Sequence, residues 1–141
     1  MNINEIQEEI IEEFSIYDDW MDKYNYLIEL GKNLKTIDTT HKTDEYIIKG
    51  CQSKVWIDAE LVDGKIIYAA DSDAIITKGI IALLLRVVSN NTPQEILDND
   101  LFFIEQIGLK ENLSPTRANG LLAMIKQIRL FALAYQAKLN A

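Results

Sequence analysis

The sequence is poor in the residues that build most self-contained active sites. Among its 141 residues there is one cysteine, Cys51, and one histidine, His41. One cysteine cannot form an internal disulfide, so nothing in the composition points to an oxidising compartment. One cysteine and one histidine are also too few for a Cys/His zinc site, and we expect no metal site.

Common nucleotide-binding and hydrolase motifs are missing as well. The chain contains no G-x-x-x-x-G-K-[ST], G-x-G-x-x-G or G-x-S-x-G sequence, which are the signatures of phosphate-binding loops and nucleophile elbows. Acidic pairs such as Asp18-Asp19 and Asp71/Asp73 lie on predicted helix surfaces or at helix ends. We interpret them as caps and solvated faces, not as a hydrolase site.

Positive charge and long apolar runs are scarce. The 14 Lys and Arg residues against 22 Asp and Glu residues give a formal net charge of −8, which disfavours binding to nucleic acid. The most apolar stretch, residues 74–88, contains Lys78 and Arg86 and is shorter than the roughly 18 residues of a membrane span. Because residues 1–14 also lack the features of a signal peptide, we expect a cytoplasmic protein without a membrane partner.

Hydrophobic periodicity predicts helices in both halves of the chain. Apolar residues recur at three- and four-residue steps over residues 3–14, and a second stripe runs from Asp18 to Leu34. Residues 35–45 are polar and predict a loop. The sequence TPQE at residues 92–95 is a capping box that predicts the start of a short helix. One or two further helical turns are predicted to end at Gly108.

The last helix is predicted to begin at Ser114-Pro115. Its expected apolar face consists of Ala118, Leu121, Leu122, Ile125, Ile128, Ala132 and Tyr135.

A β-hairpin is predicted in the middle of the chain. VWIDAELV, residues 55–62, alternates apolar and polar side chains, Asp63-Gly64 is typical of a two-residue turn, and residues 65–70 return antiparallel. EYIIK, residues 45–49, is predicted as a third strand. Ser72 or Asp73 is expected to cap the helix that follows, in which Gly79 is tolerated if another backbone packs close by.

These elements predict an α+β fold. A small curved antiparallel sheet of about three strands is expected to pack against several helices. With two prolines and six glycines the chain has no Pro/Gly-rich linker, so residues 1–141 are predicted to form a single domain.

The sequence around Cys51, IIKGCQSKVW, is polar and flexible. Gly50 leaves space beside the sulfur, and Lys49 and Lys54 are expected to lower the pKa of the thiol. Counting back by twos from Ile57 places the sulfur on the core-facing side, if extended geometry continues. Two interpretations of Cys51 remain open, a reactive thiol and a small buried hydrophobic residue. His41 lies in a polar loop and is interpreted as a solvated residue, not as a base that activates Cys51.

Five segments resemble one family, in the same order along the chain. GCQSKVW at residues 50–56 is similar to the cysteine motif of the SufE family of cysteine desulfurase-activating sulfur acceptors. Residues 19–34, 71–85, 92–97 and 113–125 resemble that family's second helix, central segment, short helix and last helix. Tyr46 departs from the pattern, because members often carry a polar residue such as Asn there. The resemblance implies a SufE/IscU-like fold.

The resemblance also implies a function. Cys51 accepts persulfide sulfur from a PLP-dependent cysteine desulfurase of the SufS/CsdA type, stimulates that enzyme, and passes the sulfur to an Fe–S scaffold protein. On this view the protein is an accessory sulfur-transfer protein, not an enzyme, and binds no cofactor, because PLP and the Fe–S cluster belong to its partners. Thiol exchange requires only one cysteine on the acceptor. A monomer or weak homodimer is expected.

Gly50, Gln52, Ser53, Asp73 and Arg117 are the supporting residues expected around Cys51. Arg117 matches the arginine of the family's S/T-P-x-R segment. Two roles are expected for it: a contact with a partner or with the cysteine loop, or an internal salt bridge. Gln52 and Ser53 bind a sulfur anion or complete a turn, and Asp73 supports the cysteine loop or caps a helix.

The alternative function is a non-covalent regulatory adaptor of a desulfurase that carries no sulfur. A cluster-binding scaffold needs several thiolate ligands, and a thiol peroxidase or cysteine hydrolase needs a second catalytic group that the sequence does not supply.

Overall fold

The computed structural model describes residues 2–140, and its elements confirm the predicted α+β class. The elements in chain order are α1 (Ile3–Ser15), α2 (Trp20–Lys32), β1 (Val55–Val62), β2 (Lys65–Ser72), α3 (Ile75–Val88), α4 (Pro93–Asp98), α5 (Phe103–Gln106) and α6 (Pro115–Leu139). Single turns of 3-10 helix at Thr39–His41 and Lys110–Asn112 lie in the connecting segments.

The hairpin follows the register that its alternation predicts. β1 and β2 pair antiparallel, from Val55 opposite Ser72 to Val62 opposite Lys65. Asp63 and Gly64 form the turn with φ angles of 53° and 80°, the left-handed values that a two-residue hairpin turn requires.

The predicted third strand is wrong. Residues 45–49 contribute a single bridge, Ile47 opposite Trp56. The chain then leaves the sheet at Gly50, whose φ of 98° is incompatible with an extended strand. The sheet formed by the described residues therefore has two strands, with one bridging residue where the third strand was expected.

The core lies between the hairpin and the helices, with α3 at its centre. Most α3 side chains are buried, and α2 packs against this helix at very short range. A Cβ atom on Gly79 would lie 2.2 Å from the carbonyl oxygen of Leu27, and one on Gly31 would lie 3.0 Å from the amide nitrogen of Gly79. The close backbone that was expected beside Gly79 is therefore confirmed.

Polar side chains fasten α1 to the rest of the molecule. One guanidinium nitrogen of Arg86 lies 2.5 Å from a carboxylate oxygen of Glu9 and 2.5 Å from one of Glu13. The hydroxyl of Tyr26 also donates to Glu13. The buried side chain of Gln7 accepts a hydrogen bond from the backbone N–H of Phe103 at 3.1 Å, which joins α1 to α5.

The predicted starts of α4 and α6 are confirmed. Thr92 and Glu95 form the capping box of α4, and Ser114 caps α6. The buried positions of α6 are Gly120, Leu121, Met124, Ile128 and Ala132. Leu122, predicted for this face, is 48% exposed, because it lies about 100° around the helix from Leu121.

Candidate functional site

The Cys51 sulfur lies against α6. Its Sγ is 3.7 Å from the carbonyl oxygen of Gly120, a distance at which a thiol donates a weak hydrogen bond. A Cβ atom on Gly120 would lie 3.5 Å from the sulfur, which is an ordinary contact, so alanine would fit here but a larger side chain would meet the sulfur. Cys51 is half-buried and packs on the core. The expected core-facing placement is observed, although residues 51–54 are not a strand.

Burial raises the pKa of the Cys51 thiol above its ordinary value. Removal of water disfavours the charged thiolate, which is why the shift is upward. The expectation that Lys49 and Lys54 lower this pKa is wrong for the resting structure. Both lysines are exposed, so water and salt screen their charges, and the thiol is protonated at neutral pH.

A cavity of about 290 Å³ opens beside Cys51. Gln52, Ser53 and Arg117, three of the expected supporting residues, line it together with the cysteine. α3 contributes Thr77, and the start of α6 contributes further hydroxyl groups. Arg117 is exposed and forms no ion pair with any residue in the described range 2–140. An internal salt bridge, one of its two expected roles, is therefore not found there.

Asp73 holds the end of the cysteine loop, which consists of residues 50–54, and does not cap a helix. Its Oδ1 accepts a hydrogen bond from the backbone N–H of Lys54 at 3.0 Å, and its own N–H donates to the carbonyl oxygen of Lys54 at 3.2 Å. α3 instead has Ala74 as N-cap, without a side-chain cap. The predicted cap is wrong because Ser72 belongs to β2 and the Asp73 carboxylate is engaged by the loop.

Gly50 lies at the other end of the cysteine loop. Its φ of 98° is a conformation that glycine adopts readily and other residues rarely do. A Cβ atom there would lie 3.4 Å from the Cβ of Ala123 in α6. The loop is thus joined to the hairpin by Asp73 at one end and turns sharply beside α6 at the other.

His41 contacts the hairpin and does not pair with Cys51. Its Nδ1 lies 2.7 Å from Oδ2 of Asp58 in β1, and its ring stacks on Tyr46 at a centroid distance of 4.5 Å. The expected solvated loop histidine is therefore an anchored one. Tyr46, the residue that departs from the family pattern, provides part of the anchor.

Asp71 is engaged in ion pairs and does not cap α3. Lys42 Nζ lies 2.5 Å from one of its carboxylate oxygens, and Lys78 Nζ lies 3.3 Å from the other. Lys42 comes from the polar segment before the cysteine loop and Lys78 from α3. The Asp71 side chain thus joins that segment, the hairpin and α3.

Two residues of the site were missed by reasoning from the sequence. Gly120 lies inside a helix, where glycine costs about 1 kcal/mol relative to alanine, and that cost is a usable signal of close packing. Thr77 gave no signal, because only the meeting of α3 with α6 brings it to the cavity of Cys51.

The part of the chain that the structure describes contains neither a metal-binding cluster nor a membrane-spanning helix. Among residues 2–140, no three His, Cys, Asp or Glu side chains are grouped so that they could hold a metal ion. No helix in the same range combines the length and the apolar character needed to cross a bilayer.

Relatives of the chain carry the SufE name. The family model for SufE, described as an Fe-S metabolism associated domain, matches residues 8–132. A SufE-like protein of Rhizobium meliloti is 40% identical over 129 residues, covering 86% of this chain and 91% of the relative. A SufE-like protein of Synechocystis sp. is 39% identical over 127 residues, covering 90% of this chain and 80% of the relative.

A solved structure shares the fold. The solution structure of a hypothetical protein from Thermus thermophilus matches with a TM-score of 0.77, covering 94% of this chain and 96% of that chain. At 18% sequence identity this likeness concerns the fold alone. The family model and the relatives agree, and the chain belongs to the SufE family, whose domain is associated with Fe–S metabolism.

Proposed function

We propose that the protein is a sulfur acceptor and carrier that takes persulfide sulfur onto Cys51 from a PLP-dependent cysteine desulfurase. It stimulates the desulfurase and passes the sulfur to a scaffold protein for Fe–S cluster assembly. PLP belongs to the desulfurase and the cluster to the scaffold. The observation that carries the proposal is the Cys51 thiol at the edge of a cavity of about 290 Å³, on a loop of a SufE-family domain.

The transfer exchanges one S–S bond for another. The Cys51 sulfur attacks the outer sulfur of the donor persulfide, and the donor's own cysteine leaves as a thiolate. The proton that Cys51 loses is taken up by that leaving thiolate. A protonated acceptor and a persulfide anion become an acceptor persulfide anion and a donor thiol, so no external oxidant or reductant is required.

Burial of the thiol determines how the reaction begins. Because burial raises the pKa of Cys51, the resting protein is a poor nucleophile towards small molecules. Docking of the desulfurase moves the loop away from Gly120 and exposes the sulfur, which removes the cause of the raised pKa. The sheltered position also limits over-oxidation of the thiol between transfers.

Desulfurase turnover distinguishes a carrier from an adaptor. Wild-type protein is expected to raise the rate at which a desulfurase forms alanine from free cysteine. Cys51→Ser replaces the thiol by a hydroxyl of similar shape, so it is expected to bind the desulfurase while leaving its rate near the basal value. Binding is measured in parallel. Full stimulation by Cys51→Ser would favour the adaptor that carries no sulfur.

A further inference from the structure

The cavity beside Cys51 contains a buried hydroxyl that the proposed transfer does not use. Thr77 is 5% exposed and lines the cavity together with Cys51. Its hydroxyl makes no side-chain hydrogen bond to any residue that the structure describes. No fully enclosed side-chain oxygen in residues 2–140 lacks a hydrogen-bond partner, so the Thr77 hydroxyl oxygen keeps some accessible surface, and Thr77 lines the cavity. It is therefore available to a group bound there.

The surroundings of this hydroxyl favour an anion. The first turns of two helices meet at the cavity, α3 with 14 residues and α6 with 25. Helix N-termini carry partial positive charge, and α3 has no side-chain cap to neutralise it. Arg117 adds a full positive charge at the rim. A small anion is stabilised here more than a neutral or positively charged group.

The size of the cavity fits an extension of the Cys51 side chain. Its volume of about 290 Å³ is roughly ten times the ~30 Å³ that one water molecule occupies in the liquid. A second sulfur atom bonded to Sγ therefore has room beside the resting sulfur.

The thiol and the persulfide prefer different neighbours. The neutral thiol is a donor, and it lies 3.7 Å from an acceptor, the carbonyl oxygen of Gly120. A persulfide is a stronger acid than the parent thiol and carries its negative charge on the outer sulfur. That atom needs hydrogen-bond donors and positive charge, which Thr77 and Arg117 offer among the residues that line the cavity.

We infer that the cavity holds the outer sulfur of the Cys51 persulfide as an anion, and that the Thr77 hydroxyl donates a hydrogen bond to it. Arg117 and the two helix N-termini supply the surrounding positive charge. The inference rests on the proposed function, because the bound sulfur is the one that Cys51 accepts in the exchange described above. Thr77 is then a sulfur-binding residue that prolongs the life of the carried sulfur.

The test compares Thr77→Val, which removes the hydroxyl at similar volume, with Thr77→Ser, which keeps it. Each purified protein is loaded with inorganic polysulfide, freed of excess reagent and challenged with a small thiol reductant. Intact-mass spectrometry follows the fraction that retains one added sulfur. A lost hydrogen bond to a charged group predicts about tenfold faster loss for Thr77→Val, and Thr77→Ser is expected to remain within about twofold of wild type.

Two further measurements separate sulfur binding from a structural role. Thr77→Val breaks no hydrogen bond of the resting protein, so its thermal unfolding temperature is expected to equal or exceed that of wild type. Arg117→Gln, at an exposed position, is expected to lose sulfur faster than wild type and with less dependence on salt concentration.

The outcomes also separate this inference from the proposed function. Normal loading of wild-type Cys51 followed by equal rates of loss in wild type and Thr77→Val overturns the role of Thr77 alone. Failure of wild type to accept sulfur from either polysulfide or a desulfurase overturns both. Faster loss in Thr77→Val, restored by Thr77→Ser, supports the inference.

Discussion

Gly120 leaves the space that the Cys51 sulfur occupies. An alanine Cβ at this position would lie 3.5 Å from Sγ, which is an ordinary contact, whereas a branched side chain would need the volume that the sulfur fills. Burial against α6 and the core keeps water from the thiol, and this desolvation raises the pKa of Cys51. The protection of the Cys51 sulfur from solvent and the low nucleophilicity of its thiol at rest therefore have the same structural cause.

Gly120→Val is expected to displace the Cys51 sulfur and to increase its reactivity. With water restored around the thiol, its pKa falls towards the ordinary value, and each unit of that fall increases the thiolate fraction about tenfold at neutral pH. The rate of alkylation by iodoacetamide, followed by mass spectrometry, is expected to rise several-fold. Gly120→Ala is the matched control and should react at close to the wild-type rate. Equal rates for both variants would contradict this explanation of the shelter.

At the scale of residues the sequence singled out the Cys51 thiol as the candidate reactive group, and that remains a prediction, but it did not reveal the surroundings of the thiol. Cys51 was predicted because it is the single thiol in a polar, glycine-containing segment, and the parity of β1 gave the side on which its sulfur lies. The direction of its pKa shift was predicted wrongly, because the sequence does not show that Lys49 and Lys54 point into water. Thr77 was missed because its role depends on contacts between helices far apart in the chain.

The cysteine loop is held as an element by Asp73. Two hydrogen bonds between Asp73 and Lys54, one through the carboxylate and one through the backbone, join the end of the loop to the end of β2. Side-chain bonds of this kind contribute about 1 kcal/mol each. Their loss frees the loop more than it destabilises the fold.

Asp73→Ala is expected to loosen the loop while leaving the core intact. The amide of Lys54 loses its acceptor, so hydrogen exchange over residues 50–54 should accelerate about fivefold for a loss near 1 kcal/mol. Asp18→Ala removes an exposed carboxylate at a distant position and serves as the control. Unchanged exchange in the loop of Asp73→Ala would show that the carboxylate does not restrain it.

The crossing of α2 over α3 depends on two glycines that face each other. Gly79→Ala would place a Cβ 2.2 Å from the carbonyl oxygen of Leu27, so the helices must separate. Overpacking of this kind costs about 1–3 kcal/mol, and alanine recovers only about 1 kcal/mol of helix propensity.

A lower free energy of unfolding is therefore expected for Gly79→Ala, by about 1 kcal/mol in urea denaturation. Gly120→Ala is the control, because it gains the same helix propensity without a severe contact. Equal stability of the two variants would show that α2 and α3 can repack freely.

Elements defined by local patterns were predicted well, and those defined by distant contacts were not. The hairpin and the capping box of α4 depend on alternation and on hydrogen bonds between near neighbours, and both are confirmed. The third strand fails because Gly50 turns the chain away. The cap of α3 fails because Asp73 bonds to Lys54, which lies 19 residues earlier.

At the scale of the whole molecule, ion pairs hold separate elements of an acidic chain together. Hydrogen bonding by Arg86 lowers the pKa of Glu13. Burial alone would raise the pKa of Asp71, but hydrogen bonds from Lys42, from the backbone N–H of Ser72 and from Lys78 outweigh it and lower that pKa too. A carboxylate with a lowered folded-state pKa contributes stability above its unfolded pKa and loses it as the pH falls through the folded value.

Thermal stability is therefore expected to decline as the pH falls below the ordinary range of carboxyl groups. Arg86→Gln removes the partner of Glu9 and Glu13, so it should be less stable at neutral pH and show a shallower decline in acid. Unfolding temperatures measured by circular dichroism across the acidic range test this expectation. Parallel pH profiles for wild type and Arg86→Gln would contradict the role given to the ion pairs.

The whole molecule presents one half-buried thiol, and in the proposed reaction C–S bond cleavage belongs to the desulfurase. Its SufE-family domain places Cys51 on a loop that packs against α6, where burial makes the thiol a slow nucleophile. This arrangement agrees with a carrier whose reaction starts on contact with its donor and not on contact with small oxidants.

Intact-mass spectrometry after incubation with a cysteine desulfurase and free cysteine tests the central proposal most directly. One added sulfur atom is expected on wild-type protein, located by peptide mapping to Cys51 and removed by a thiol reductant. Cys51→Ser should gain none under the same conditions. Stimulation of the desulfurase without any sulfur appearing on Cys51 would contradict the proposed transfer.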